Sequence, residues 1–491
     1  MNTQDNTIDL FALTDSHQEA RRLCCLFSSI IEKAQPLGKD TLICDGGDLF
    51  KGVYDRQLCI DSYLKLRRHL PQAQMVMAVG NNDFGFNFEH IGFLKKTAQT
   101  FAQNNIYMLC ANLIDLKTQN TPDWIEAFKI FEINRKKIMV TAFCTDTIKL
   151  EKYGLKLIDI PQSLLRLKEI YNQHQPDAFI VINHALMKSS QDVYQTALNA
   201  QMKTNLIIGG HEHSVVVPDI KKHIYYPQAY NRTLLHFRLN FPDNKCRLNF
   251  LEEIKCQQCQ LSNEFQESIE QYEQTAGFNN PVAESTLNLT KEYSDPSAIG
   301  TFIADKMRET AKSTLAIIST GYICHPLLYQ PHHILTAYDI KRVFSAEVPL
   351  QKVLLTPAQL KAIFTNSVYN RYRLPTSNTK FLQCSQNVRL ICIKKADGSG
   401  GIKQIIINNT ALLDDYGNPI RPDDIYSCAI DPFIASGEQG YDVLRSVDKE
   451  TLMKNNQLIK IKDIFMNALK EAETQYSSGS QYPTYSVTDI E

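Results

Sequence analysis

The sequence lacks several features that would narrow its role at once. It has almost no net charge: 52 Lys and Arg stand against 53 Asp and Glu, a formal −1 at pH 7. No global field therefore draws it to a nucleic-acid polymer or an anionic membrane, and an anionic substrate must be attracted locally, most cheaply by bound cations. It contains no apolar run long enough to span a bilayer, and no internal repeat is visible. The opening stretch Met1-Asn-Thr-Gln-Asp-Asn-Thr is polar and acidic, without the basic and apolar regions of a secretory leader. The cytoplasm is the expected compartment, or the periplasm if the start has been processed or engineered. A disulfide framework is also missing. The thirteen cysteines are an odd number, and Cys24-Cys25, Cys44 and Cys110 lie in helical or strand-like patterns that suit buried free thiols. Cys256-Gln-Gln-Cys259 has metal-like spacing, but no partner pair lies near it in sequence.

What is present is ordinary globular material. Hydrophobic residues make up 43% and charged residues 21% of a 491-residue chain, enough for two or three domains, each with its own core. The first half alternates short apolar runs with helical patterns. Strands are predicted at 8–14, 41–44, 74–78, 107–110, 137–143, 178–183 and 206–208, with helices at 19–33, 88–103 and 163–174. This is α/β alternation. The polar, Gln- and Glu-rich run 256–277 reads as a linker helix. Beyond it, Asp295-Pro296 and Thr356-Pro357 read as helix starts. Asn408-Asn409 reads as a hairpin turn. The last helix is predicted over 460–476, followed by a Ser/Gly/Tyr/Thr tail expected to be disordered.

Chemistry gathers at the strand ends of the first half. Asp15-Ser-His17 follows the first strand, Asp45-Gly-Gly-Asp48 the second, and Gly80-Asn81-Asn82-Asp83 the third. His184 closes the strand near 178–183, and Gly210-His211-Glu-His213 follows 206–208. Strand C-termini of an α/β sheet share one rim, so these loops can converge. Taken singly, Asp-x-His is usually a turn and a histidine ending an apolar strand is usually a satisfied core residue. Five such elements, each at a strand end, point instead to metal. Carboxylate, imidazole and amide oxygen form a mixed set suited to Mn, Fe, Zn or Co rather than Ca.

The order D-x-H, G-D, G-N, H, G-H-x-H resembles the calcineurin-type metallophosphoesterases. More narrowly, Asp45-Gly-Gly-Asp48-Leu-Phe-Lys-Gly52, Leu109-Cys-Ala-Asn112 and Gln228-Ala-Tyr-Asn-Arg-Thr233 resemble the 5′-nucleotidase / 2′,3′-cyclic phosphodiesterase branch. So do Leu355-Thr-Pro-Ala-Gln-Leu360 and Phe433-Ile-Ala-Ser-Gly-Glu-Gln-Gly-Tyr441 in the second half. The resemblance implies a two-domain α/β protein. An N-terminal four-layer α/β/β/α metallophosphoesterase sandwich would occupy 1–255 and a linker helix 256–280. An α+β 5′-nucleotidase-like substrate domain would occupy 281–450, and a last helix with its tail 451–491. It also implies two divalent ions of open identity (Mn, Zn, Fe, Co or Mg). One would be held by Asp15, His17, Asp48 and His213; the other by Asp48, Asn81, His184 and His211, with Asp48 bridging. The implied reaction is hydrolysis of a nucleotide or related phosphomonoester or phosphodiester by a metal-bridging hydroxide. The partner is then a small phosphate ester, with neither nucleic-acid polymer nor membrane involved.

The sequence departs from that resemblance in two places. The usual G-N-H-[DE] followed by F-D reads Gly80-Asn81-Asn82-Asp83-Phe84-Gly85, so Asn82 replaces the proton-donating His and Gly85 the Asp that orients it. An amide can donate a hydrogen bond but cannot transfer a proton; Asn82 and Asp48 are accordingly the candidate catalytic residues. In the second domain, Ser319-Thr-Gly-Tyr-Ile-Cys324 places Cys324 where the resemblance has a phosphate-gripping Arg, and Ser345-Ala-Glu-Val348 replaces P-F-G-N. Phe433 and Phe381 resemble a base-sandwiching pair, with plain core as the alternative for Phe433. Asn112 and Arg232 complete the candidate substrate-binding set, and Lys188 and His325 are further sources of positive charge. These replacements leave open a second reading, a weak or inactive family member that binds a phosphorylated ligand through its metal site.

Overall fold

The computed structural model describes residues 7–37, 40–85, 88–145, 150–330, 332–344, 346–373, 380–394, 400–477 and 479–490. Ser345, in the second departure above, and residues 1–6, on which the leader argument rests, lie outside them. The chain divides into two compact units, Met1–Tyr272 and Glu273–Glu491.

The first unit is built on two sheets. One runs, in spatial order, Arg247–Lys255, Thr233–Asn240, Thr7–Leu13, Thr41–Asp45, Gln74–Ala78, Ile106–Leu109; the other runs Ile224–Tyr225, Leu206–Gly210, Ala178–His184, Lys136–Cys144, Phe128–Ile133. The period-2 alternation of a strand decides what each face meets. Ile8, Leu10 and Ala12 point inward with Leu42, Cys44, Val76, Ile138, Val140, Ile180 and Ile208, and these residues of both sheets form one central core. On the outer face of the second sheet, Met139, Phe179, Val181 and Ile207 pack with Leu164 and Val193 of the covering helices. Helices Ala20–Ala34, Arg56–His69 and Phe88–Gln103 belong to the first sheet's side, where Phe27 and Phe101 both contact Tyr63. The result is four layers, helix on sheet on sheet on helix. Parallel pairing of Thr7–Leu13, Thr41–Asp45, Gln74–Ala78 and Ile106–Leu109 brings their C-terminal ends to one rim.

The expected linker is the helix Asn263–Thr275, and it is no free spacer. Its Phe265 and Ile269 are buried, with the Phe265 ring 6.2 Å from that of Phe27.

The second unit has a five-stranded sheet ordered Leu382–Cys384, Leu315–Ser319, Tyr426–Ile430, Gln351–Leu355, Lys449–Thr451 and a four-stranded sheet ordered Thr410–Ala411, Gly400–Ile407, Val388–Lys394, Ser486–Ile490. Thr356 starts the helix Pro357–Arg373 as predicted, and Asn408 and Asn409, both at positive φ, turn the hairpin. Two expectations are corrected. The helix Ala298–Ala311 is capped by Ser297, whose Oγ accepts from Gly300 N–H, and starts later than Asp295-Pro296 implies. The tail is not disordered over its described residues. After the helix Ile461–Gln475, Tyr482 and Tyr485 enter the core and Ser486–Ile490 pairs in parallel with Val388–Lys394. Buried tyrosines anchored through Asp305 and the Leu382 carbonyl outweigh the low-complexity composition.

Candidate metal centre

The rim loops of the first unit are tied to each other before any side chain is considered. Asp15 N–H donates to Gly47 O, His17 N–H to Asp48 O and Gln18 N–H to Leu49 O, each at 2.9 Å. That pairing forces unusual backbone. Asp15, His17, Asp48 and His211 have φ of 50°, 43°, 57° and 75°, a region in which each non-glycine residue costs of order 1–3 kcal/mol and which clusters at functional sites. Gly80 is required by close approach, since a Cβ there would lie 2.1 Å from Asp48 Oδ1.

The loops deliver their donor atoms to two overlapping groups. Asp15, His17, Asp48 and His213 form one, and Asp48, His184 and His211 the other, with ligand atoms in each group within 4.8 Å of one another. His17 Nε2 lies 3.0 Å from His213 Nε2 and 3.7 Å from Asp48 Oδ2, while His213 Nε2 is 3.3 Å from Asp15 Oδ1. In the second group His184 Nε2 is 3.3 Å from Asp48 Oδ2, and the Asn81 amide oxygen is 2.8 Å from His211 Nδ1. Asp48 belongs to both groups, and it is fully buried.

The donor set fits divalent cations. Gly46 O accepts from His184 Nδ1 at 2.8 Å; a carbonyl can only accept, so Nδ1 carries a proton and Nε2 is the atom left to face Asp48 and a cation. That Nε2 is wholly buried and makes no well-aligned hydrogen bond. Two imidazole nitrogens facing each other at 3.0 Å, as in His17 and His213, likewise call for a positive charge beside them. The electrostatics agree. Burial works to raise the carboxyls of Asp15 and Asp48, yet the imidazoles around them prevail and hold both well below the usual range: His17 and His213 at Asp15, His184 and then His17 at Asp48. His184, pulled down by burial, is raised to about 10 by Asp48, and His211 is lowered to about 4 by burial and by His184. Two buried carboxylates kept ionised by the charge of the imidazoles around them form a site where metal ions can take the place of those protons.

Two supporting residues were not singled out from sequence. Asp83 accepts from the backbone N–H groups of Gly80, Phe50 and Asp48 at 2.8, 2.9 and 3.0 Å, tying the second rim loop to the third; burial pushes its carboxyl up to about 7. Tyr230, at φ 63°, hydrogen-bonds through its N–H to Asp15 O at 2.7 Å. Its ring centroid is 5.1 Å from those of both His17 and His213, and its hydroxyl is 3.1 Å from His213 Nδ1. The signal for Tyr230 lay in Gln228-Ala-Tyr-Asn-Arg-Thr233, where the charged Arg232 drew attention instead.

The remaining candidates fall out differently. Asn82 contacts Asp48 directly. Arg232 is exposed, with its guanidinium 5.7 Å from the Tyr230 ring centroid. Lys188 is a surface residue paired with Asp192. Asn112 has its amide engaged by backbone groups. It is fully buried, with Nδ2 donating to Cys144 O and Ile158 O and Oδ1 accepting from Cys144 N–H. In the second unit Phe381 is fully buried among core side chains, so it offers no face to a base. Phe433 is 37% exposed, at the start of a short helix capped by Asp431. Near Cys324, Lys291 brings its ammonium to 3.1 Å from the Cys324 carbonyl, a charge that motif reading passed over.

Residues 9–215 match the family described as calcineurin-like phosphoesterase, and residues 274–446 match the 5′-nucleotidase C-terminal domain. The chain belongs to the calcineurin-like phosphoesterases that carry a 5′-nucleotidase C-terminal domain. Solved structures repeat that two-domain architecture. A 5′-nucleotidase precursor from Thermus thermophilus aligns over 99% of both chains at 15% identity and a TM-score of 0.74. A putative 5′-nucleotidase from Staphylococcus aureus covers 99% of this chain and 100% of its own, at 13% identity and a TM-score of 0.68. A 5′-nucleotidase from Candida albicans covers 95% and 98%, at 14% and 0.66. At such identities the likeness establishes the fold. No curated protein matches the sequence. As a phosphoesterase of this family the chain is a metal-binding hydrolase. Among its described residues no helix is long and apolar enough to cross a membrane.

Proposed function

We propose that the protein is a dinuclear-metal hydrolase of a nucleotide or a related phosphomonoester or phosphodiester. The observation that carries this reading is the sharing of Asp48 between two donor groups. In it, Asp15, His17, Asp48 and His213 hold one divalent ion, and Asp48, Asn81, His184 and His211 the other. Two ions held in that way supply an activated water nucleophile and neutralise phosphoryl charge. The chain's own residues set the geometry. The left-handed backbone at Asp15, His17 and Asp48 aims three ligands into one buried corner, and Gly46 and Tyr230 fix the ring orientations of His184 and His213. Asn82 holds Asp48 by hydrogen bonds and donates no proton. Substrates whose leaving group needs no protonation are therefore favoured, since a lost acid/base group costs about 10²–10⁴ in rate.

The test is a substrate screen of the manganese-loaded protein against mononucleotides, cyclic nucleotides, bis(p-nitrophenyl) phosphate and p-nitrophenyl phosphate. Turnover that disappears in Asp48→Asn supports hydrolysis at this centre. Metal held tightly with no turnover of any substrate would overturn it in favour of ligand binding.

A further inference from the structure

Nine of the thirteen cysteines are buried; Cys25, Cys256, Cys259 and Cys324 are half-exposed. Three of those four meet at one place in the first unit. Cys25 lies on the helix Ala20–Ala34, while Cys256 opens a short 3-10 turn after the strand Arg247–Lys255 and Cys259 closes it. The segment runs along the helix. The Cys256 thiol donates to the Arg22 carbonyl at 3.8 Å, three residues before Cys25 on the helix, and the Cys25 and Cys256 thiols interact. The Cys259 thiol hydrogen-bonds with Ser29, and Ser262 N–H donates to Ser28 Oγ at 3.1 Å. None of these residues belongs to the metal centre.

We propose that Cys25, Cys256 and Cys259 form a thiol–disulfide exchange site, with Cys25 as the attacking thiol and Cys256 as the thiol that closes a bridge onto it. A reactive cysteine needs thiolate character, access and a resolving partner. Cys25 has all three. It is half-exposed, it touches Cys256, and its thiol is lowered to about 7, first by the Cys256 hydrogen bond, against burial and with help from Arg21. Cys256 is pushed up and stays protonated until a bridge forms.

The exchange balances with a low-molecular-weight disulfide, RSSR, as oxidant. The Cys25 thiolate attacks one sulfur of RSSR; the S–S bond breaks, a mixed disulfide forms and one thiolate leaves, taking up a proton as RSH. Cys256 then gives up its proton and attacks the Cys25 sulfur, and the second thiolate leaves as RSH. Two protein thiols are oxidised and RSSR is reduced to two RSH. Cys259, in the same turn, is placed to exchange with the Cys256 half of the bridge. A three-thiolate metal site is disfavoured. Among the described residues, the donor groups compact enough to hold an ion are those of the metal centre, and these sulfurs are not among them. The bridge would fasten the segment leading into the helix Asn263–Thr275 to the helix Ala20–Ala34.

The experiment incubates the reduced full chain with oxidised glutathione at pH 7, quenches with an alkylating agent and maps the peptides. A lowered pKa raises the thiolate fraction at pH 7 while reducing its nucleophilicity, so Cys25 should react about fivefold faster than a free thiol of pKa about 8.5. The Cys25–Cys256 bridge should be the dominant product. Cys256→Ser should stall as a glutathione adduct on Cys25, and Cys25→Ser should form neither that adduct nor the bridge. Equal modification of Cys25 and Cys324, or a Cys25 adduct that never resolves in the wild-type chain, overturns the proposal. So does one equivalent of zinc retained by the three thiols. The wild-type map requires no variant, so a misfolded substitution cannot mask the answer.

Discussion

Asn82 holds Asp48 twice: its backbone N–H donates to Oδ1 at 2.7 Å and its side-chain amide to Oδ2 at 2.5 Å. The residue standing at the expected proton-donor position thus spends its side chain on orienting the carboxylate shared by both donor groups. An imidazole there could release a proton to a leaving group, whereas the amide cannot. Asn82→His should therefore raise turnover of a nucleoside monophosphate, whose nucleoside alkoxide is a poor leaving group, by about tenfold or more. Turnover of bis(p-nitrophenyl) phosphate, whose leaving group departs without protonation, should stay within a few-fold. Equal effects on both substrates would show that Asn82 acts on Asp48 alone.

The Tyr230 hydroxyl is the hydrogen-bond partner of His213 Nδ1, and the ring lies against His17. Partners of this kind orient a ligand imidazole, and losing one typically costs about 10–100-fold in metal affinity. Tyr230→Phe keeps the ring and removes only the hydroxyl. Calorimetric manganese titration should show one of two sites weakened by about that factor, with the other site and the melting temperature of the metal-free protein nearly unchanged. Equal weakening of both sites would refute the assignment of Tyr230 to the Asp15, His17 and His213 side.

Metal should stabilise the first unit by mass action. A ligand that binds only the folded state adds about 2.7 kcal/mol at a hundred times its dissociation constant. Manganese should raise the first unit's melting transition in scanning calorimetry, and a chelator should reverse the rise. Asp48→Asn, which touches both donor groups, should lose most of the metal-dependent shift while retaining the fold. A full shift in that variant would remove Asp48 from the ligand set.

The rim was legible in the sequence because a parallel strand fixes its own surroundings. Runs such as Leu10-Phe-Ala-Leu13 and Phe179-Ile-Val-Ile182 are apolar on both faces, so the polar pairs that follow them, Thr14-Asp15 and Asn183-His184, lie at the sheet's C-terminal edge. That reasoning reached Asp15 and His184. It could not reach Tyr230 or Asp83, whose parts depend on positive φ and on backbone donors that leave no residue-type signature. It could not show that Phe381 and Asn112 are buried, since a motif position does not reveal which way a side chain faces. The tail was misread because composition weighs Ser and Gly heavily. Two tyrosines entering the core of the second unit were enough to order the strand Ser486–Ile490.

The acid limb of stability should carry the signature of Asp9. This carboxylate is 2% exposed on the central strand Thr7–Leu13; Arg238 reaches it at 2.9 and 3.1 Å and His236 Nε2 at 2.6 Å. Burial alone would raise its pKa, but the hydrogen bonds from His236 and then Arg238 overcome that and lower it. A carboxyl depressed in the folded state binds its proton more readily in the unfolded chain. Its contribution is therefore complete above the ordinary aspartate value of about 3.9 and is lost as pH falls through the depressed one. Asp9→Asn keeps the shape and removes the charge, so at pH 7 it should destabilise the first unit by about 1–3 kcal/mol, the range for charged hydrogen bonds. As the pH drops below about 4 the wild type should lose its advantage and the two unfolding curves should converge. A difference between them that stays constant through the acid range would show that packing around Asp9, rather than its charge, sets its contribution.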